Sequence, residues 1–319
     1  MIKKERKPKK VMPILMAIIM LVSIMAPMAY ALEKIDMSKP VTLSVQFTGE
    51  LTKVPGMPFK AYRLASITEN AELAFVDKFA GYGVELPEDQ AGYRALAETM
   101  SGYIARDGIA PDKVATTNEN GRASFAEVEK GLYLITADRF KVEATGMTYI
   151  VSPSLVVLPN TTDGETWLYD VVISPKYTEI PPVPDTPGKV DINVIKVWKN
   201  EADQTKRPSE IIAELICQDK VIDSVKLNAA NNWRHTWKDL DGSYEYKVTE
   251  KVVPSGYTVT IVKDGNTFTI TNSGGGTPPP TPPRTPRLPQ TGQLWWPVPI
   301  LAGAGLIFLI AGIIRKKTA

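Results

Sequence analysis

Alternation of apolar and polar residues dominates the chain between its two ends. In VTLSVQF, Val41, Leu43, Val45 and Phe47 recur at every second position, as in a strand with one buried face. FKAYRLASI and GLYLITA read the same way, and TNENGRASFAEV puts an Asn-Glu-Asn-Gly turn before another strand. One stretch changes period. In DQAGYRALAETMSGYIARDG, Tyr93, Leu96, Ala97, Met100, Tyr103 and Ile104 fall at helical spacing, and Gly108 supplies a stop. Beyond residue 189 the strands are shorter, with KDLDGSYEY and VKDGNTF as hairpin candidates. The pattern predicts an all-β protein of two sandwiches in series, the first bearing a helical insertion.

The ends carry a different pattern. MIKKERKPKKVMPILMAIIMLVSIMAPMAYA runs from basic to apolar to small residues, the order of a secretory signal peptide cut after Ala31. At the other end an apolar run from Leu294 to Ile314 is long enough to span a bilayer. The Arg315-Lys316-Lys317 cluster after it would stay cytoplasmic. Two proline-dense stretches, TEIPPVPDTPG and GGGTPPPTPPRTPR, read as semi-rigid spacers. The expected organisation is a signal peptide at 1–31, a first domain at 32–177, a linker at 178–188, a second domain at 189–273, a stalk at 274–287 and a terminal signal at 288–319.

Composition removes several function classes. The net charge of +2 gives no bulk field for nucleic acid. A single cysteine, Cys217, rules out an internal disulfide, and its phase with Ile211, Ala213 and Leu215 marks it as a core residue. The only histidine, His235, alternates with Trp233 and Trp237, which reads as packing. No nucleophile–base pair, phosphate-binding glycine loop or metal-ligand cluster appears, so neither enzymatic turnover nor a metal or other cofactor is expected.

The second domain carries polar residues in inward phase. In VDINVIKVWKN, Lys196 shares a face with Ile192, Val194 and Trp198. In YEYKVTE, Glu250 follows Tyr244, Tyr246 and Val248, and in TFTITN, Asn272 follows Phe268 and Ile270. A lysine, a carboxyl and an amide thus point inward from three separate strands. Burial is costly for such groups unless they are neutral or paired. An ordinary buried Lys–Glu pair, with Asn272 as a turn residue, satisfies that requirement.

IKVWKN, NAANNWRHTWKDLDG, YEYKVTEKVVPSGY and FTITN resemble the B-type domain of collagen-binding adhesins, an Ig-like sandwich shared with pilins. The resemblance covers nearly all of residues 190–273. It implies a spontaneous Lys–Asn isopeptide bond, with Lys196 as nucleophile, Asn272 as electrophile and Glu250 as catalyst. Glu214 is the reserve acid. The first domain has no inward lysine, glutamate or asparagine at the matching places, so no internal bond is expected there.

The terminal signal also resembles a family. Leu288-Pro289-Gln290-Thr291-Gly292, followed by the apolar run and basic cluster, is similar to the sorting signal of Gram-positive surface proteins. That resemblance implies cleavage by a sortase between Thr291 and Gly292, and linkage of Thr291 to peptidoglycan or another pilin. WLYDVVISPK resembles the pilin motif whose lysine accepts the next subunit. Trp167, Val171, Pro175 and Lys176 match, while Ile173 and Ser174 depart from it. Lys176 is out of phase with the inward residues and is expected to face solvent. Together these features imply a wall-linked structural protein outside the cell, held transiently at the membrane, resembling a minor or basal pilin. Its partners would be a sortase, peptidoglycan and other pilin subunits. The alternative is a monomeric adhesin for a host matrix protein or glycan.

Overall fold

The computed structural model describes residues 33–48, 53–161, 166–182, 188–199 and 204–274. The expected signal peptide with Ala31, the Pro-rich stalk, the Leu288–Gly292 pentapeptide and the apolar run lie outside the described residues. Among the described residues no helix is long and apolar enough to cross a membrane. The protein is mostly β-sheet, as the alternation predicts.

In the first domain β1 (Val41–Gln46) lies between β5 (Arg122–Val128) and β10 (Asp170–Ile173), giving the order β10-β1-β5. A facing sheet runs β3 (Leu73–Phe75), β2 (Pro58–Ile67), β6 (Gly131–Ala137), β9 (Ser154–Leu158), with β4 (Lys113–Thr116) also pairing with β2. Leu43, Val45, Phe47, Phe59, Phe125, Tyr133, Ile135 and Leu158 form the core between them. A third sheet joins β7 (Phe140–Lys141), β8 (Thr148–Val151) and β11 (Tyr177–Ile180). Residues 178–180, expected to begin the linker, instead continue β11 from Tyr177 and pair with β8. Tyr177 explains this: its ring meets Phe47 edge-on at 5.0 Å, so the strand is pinned to the core.

The second domain packs the sheet β15-β12-β18-β17 over the sheet β14-β13-β16. The first comprises β15 (Arg234–Asp241), β12 (Lys189–Lys199), β18 (Thr267–Gly274) and β17 (Tyr257–Asp264). The second comprises β14 (Lys220–Asn228), β13 (Glu210–Cys217) and β16 (Tyr246–Glu250). Val194, Leu215, Trp237, Val248, Ile261 and Phe268 fill the space between them. Cys217 is a free, buried thiol, as its phase predicts, and His235 packs edge-on against Trp237. Tyr244 departs from expectation. It precedes β16 and is 42% exposed, because the Asp241–Ser243 turn interrupts the alternation before the strand starts.

A short α1 (Asp77–Ala80) precedes the predicted helix, α2 (Gln90–Asp107). The Asp89 side chain caps α2 by accepting from Gly92 N at 2.7 Å. Gly108 ends it with a left-handed φ of 61°. Burial on α2 exceeds one apolar stripe, since Thr99, Ser101 and Gly102 are buried along with Leu96, Met100 and Tyr103. The helix touches β6 and β9 of the first domain and β13, β14, β16 and β17 of the second. Coverage on both sides is what a helix buried nearly all round requires. It also explains why β6 does not alternate: Leu132 and Leu134 lie on the face opposite Tyr133 and Ile135, yet all four are buried.

Candidate functional site

The parallel pairing of β12 with β18 sets Lys196 beside Ile270 and Trp198 beside Asn272. Lys196 and Asn272 therefore share the inner face, offset by two residues along neighbouring strands. Glu250 comes from the opposing sheet, where it pairs with Ala213 of β13. The three side chains predicted to point inward all do so: Lys196 is 4% exposed, and Glu250 and Asn272 are 0% exposed.

Asn272 Nδ2 donates to Glu250 Oε1 at 3.0 Å. Lys196 Nζ donates to the Val197 carbonyl at 2.9 Å and lies 3.9 Å from the centre of the Trp198 ring. That indole is itself held edge-on by Trp233 at 5.4 Å and Tyr257 at 5.1 Å. Burial pushes the Glu250 carboxyl up to about 7, against the opposing pull of Lys196 and of the hydrogen bond from Asn272. Glu250 Oε2 and Asn272 Oδ1 are buried without a partner. A neutral acid resolves that deficit, because a protonated Oε2 can donate to the amide oxygen.

Glu214 is excluded as the acid. It is buried, but it pairs with Thr249 across β13 and β16 and so points to the opposite face from Glu250. Its partner there is Lys251 Nζ at 3.7 Å. Lys176 lies between β10 and β11 with its side chain exposed, while Pro175 before it is buried. Its carbonyl accepts from Ser152 N at 2.8 Å, which fixes the backbone under an outward amine. Among the described residues no His, Cys, Asp and Glu side chains cluster so as to hold a metal ion.

The alternation did not reveal what the first domain contributes. Tyr103 of α2 packs into the core of the second sandwich. Arg106 stacks on its ring at 4.7 Å and donates to the carbonyls of Glu250 and Lys251, each at 3.2 Å. The free edge of β17 is also taken up: Val259 N donates to the Gly83 carbonyl and Ile261 N to Thr99 Oγ1, both at 2.8 Å. The helical spacing singled out Tyr103 as apolar, but nothing in a single sequence names the surface it meets.

Residues 192–273 match the family model of the Cna protein B-type domain. Over 83 residues the chain is 37% identical to a collagen adhesin of Staphylococcus aureus, a stretch covering 24% of this chain and 7% of that protein. The chain thus spans only a small part of the curated relative's length. Similar solved structures include a single B repeat unit of the S. aureus collagen-binding surface protein, at 20% identity, covering 74% of this chain and 99% of that one, TM-score 0.26. A minor pilin of Streptococcus agalactiae gives 19% identity over 76% of this chain and 100% of that one, TM-score 0.24. The full-length major pilin of Corynebacterium diphtheriae gives 18% over 75% and 65%, TM-score 0.31. Lys196, Glu250 and Asn272 all fall within the matched residues, so it is the second sandwich that is similar to the Cna protein B-type domain.

Proposed function

We propose that this chain is a structural surface protein of a Gram-positive cell wall, attached by a sortase through Thr291 and reinforced by a Lys196–Asn272 isopeptide bond. The observation that carries the reading is the burial of Lys196, Glu250 and Asn272 together between two facing sheets. The amine of Lys196 attacks Asn272 Cγ. The Nζ–Cγ bond forms, the Cγ–Nδ2 bond breaks, and the nitrogen departs as ammonia with a proton carried over from the lysine. Neutral Glu250 hydrogen-bonds to the amide oxygen and relays that proton. Holding the groups in place lets an otherwise very slow amide exchange proceed. The bond closes a loop of roughly 75 residues, for which the chain-entropy model gives about 4 to 5 kcal/mol. It also ties the opening strand β12 to the closing strand β18, so pulling on the domain ends loads a covalent link.

The order of signal peptide, β domains, proline stalk, Leu288–Gly292 and apolar run supports export followed by wall attachment. With Lys176 as acceptor for a second subunit, the chain serves as a minor or basal pilin, joined to peptidoglycan at one end and to other pilin subunits through Lys176. The chemistry is a single self-reaction, not turnover. The test is a blot of wall extracts boiled in detergent. Covalent high-mass species that collapse in Lys176→Arg support the pilin role, and a single band of unchanged size contradicts it. The match to a collagen adhesin favours a second reading, a monomeric wall adhesin for a host matrix protein. That reading predicts binding of the ectodomain to a matrix protein and no ladder.

A further inference from the structure

The isopeptide chemistry sits in the second domain, but one wall of its acid site comes from the first. Glu250 lies on β16, an edge strand of its sheet, and β17 is an edge strand of the other. An open flank between two such edges would let water reach the carboxyl. Tyr103 packs there among core residues of the second sandwich, and Arg106 ties the helix to the Glu250 carbonyl. Gly102 allows the approach: a Cβ there would come within 2.8 Å of Thr249 Cγ2. The remaining gap between α2 and the loop after β16 is a cleft of about 550 Å³ bordered by Tyr82, Tyr103, Arg106, Glu250, Val253 and Tyr257.

We propose that docking of the first domain switches on the bond in the second, with the Tyr103 ring closing the flank of the sandwich over Glu250. This rests on the Lys–Asn reaction proposed above. The atoms exchanged are the same, and the first domain supplies only dryness. Tyr103 is thus a positioning residue, acting through Glu250. Its hydroxyl is buried without a partner, so the ring and not the hydroxyl does the sealing. Burial holds that phenol neutral well above its usual range. The groups around the carboxyl are Lys196 from β12, Asn272 from β18, and Tyr103 and Arg106 from α2; Glu214 and Lys251 lie on its own sheet. A wetted carboxyl ionises at lower pH, and an ionised Glu250 cannot donate to the amide oxygen.

The experiment is intact mass of the two-domain ectodomain, read on the protease-resistant folded fraction of each variant. Wild type and Tyr103→Phe should both be one ammonia lighter than sequence. Tyr103→Ala, and Gly102→Val with the ring retained, should leave most folded chains at full sequence mass. The residual reaction of Tyr103→Ala should have its alkaline limb at lower pH than wild type, whereas a merely loosened sandwich would slow equally at every pH. Complete reaction in both Tyr103→Ala and Gly102→Val, or failure in Tyr103→Phe, overturns the inference and leaves the bond itself standing. A wild-type ectodomain at full sequence mass overturns both.

Discussion

Both sandwiches run their first strand parallel to a strand near their C-terminal end, yet they secure that pairing by different means. In the first domain β1 and β10 align Leu43 with Val171 and Val45 with Ile173, and Leu43 and Val45 are fully buried. In the second, the equivalent strands β12 and β18 align Lys196 with Ile270 and Trp198 with Asn272. The first pairing puts only apolar side chains at its inward positions and adds backbone hydrogen bonds and a Thr42–Asp170 side-chain bond, all of them non-covalent. The second places an amine and an amide on one face with an acid opposite them. Topology pairs the opening strand with a late strand in both; only the residue types at the inward positions decide whether a covalent link can follow.

The largest effect that sharpens this contrast is removal of the reacting groups. Asn272→Ala should abolish the ammonia loss and lower the unfolding free energy by about 4 kcal/mol, the loop-closure contribution. Melting with intact mass as the second readout checks it. In the first domain, Leu43→Ala should cost roughly 2 to 5 kcal/mol through the cavity it leaves, with no change in the ammonia loss. If Leu43→Ala suppressed the reaction while α2 remained docked, the separation between the two strategies would fail.

The third test uses pH. In Asn272→Ala the acid remains without its reaction, and burial still holds the Glu250 carboxyl above its ordinary range. A group that binds its proton more tightly when folded stabilises the protein at low pH. Stability should therefore decline as pH rises above about 4.5 and level off only above the raised folded value, which loss of the Asn272 hydrogen bond moves further up. Denaturant titrations against the Asn272→Ala/Glu250→Gln double variant isolate the effect, and parallel pH profiles in the two would contradict it. The smallest change expected is Thr99→Val, which removes the acceptor of Ile261 N and should cost about 1 kcal/mol at the contact between the domains. Hydrogen exchange at the Ile261 amide reads it directly.

Much of this contrast is visible in sequence because strand alternation is a local rule. Lys196, Glu250 and Asn272 each follow inward apolar residues at intervals of two, and each is buried where the interval puts it. The same rule separates Glu250 from Glu214, but only once the pairing of β13 with β16 gives them opposite faces. It misleads at Tyr244, where a turn resets the phase. It is silent on α2, whose second buried face is explained by a partner domain far away in sequence. The linker boundary shifted for a similar reason: Tyr177 meets Phe47 across 130 residues, and no local pattern encodes that contact.

The most direct measurement is the intact mass of the purified ectodomain beside its Lys196→Ala, Glu250→Ala and Asn272→Ala variants. The wild type should be lighter than its sequence by one ammonia, while each variant keeps its full mass, and digestion should yield a branched peptide joining Lys196 to Asn272. A wild-type protein at its full sequence mass, with Lys196 and Asn272 recovered in separate peptides, would contradict the covalent reading of the buried triad.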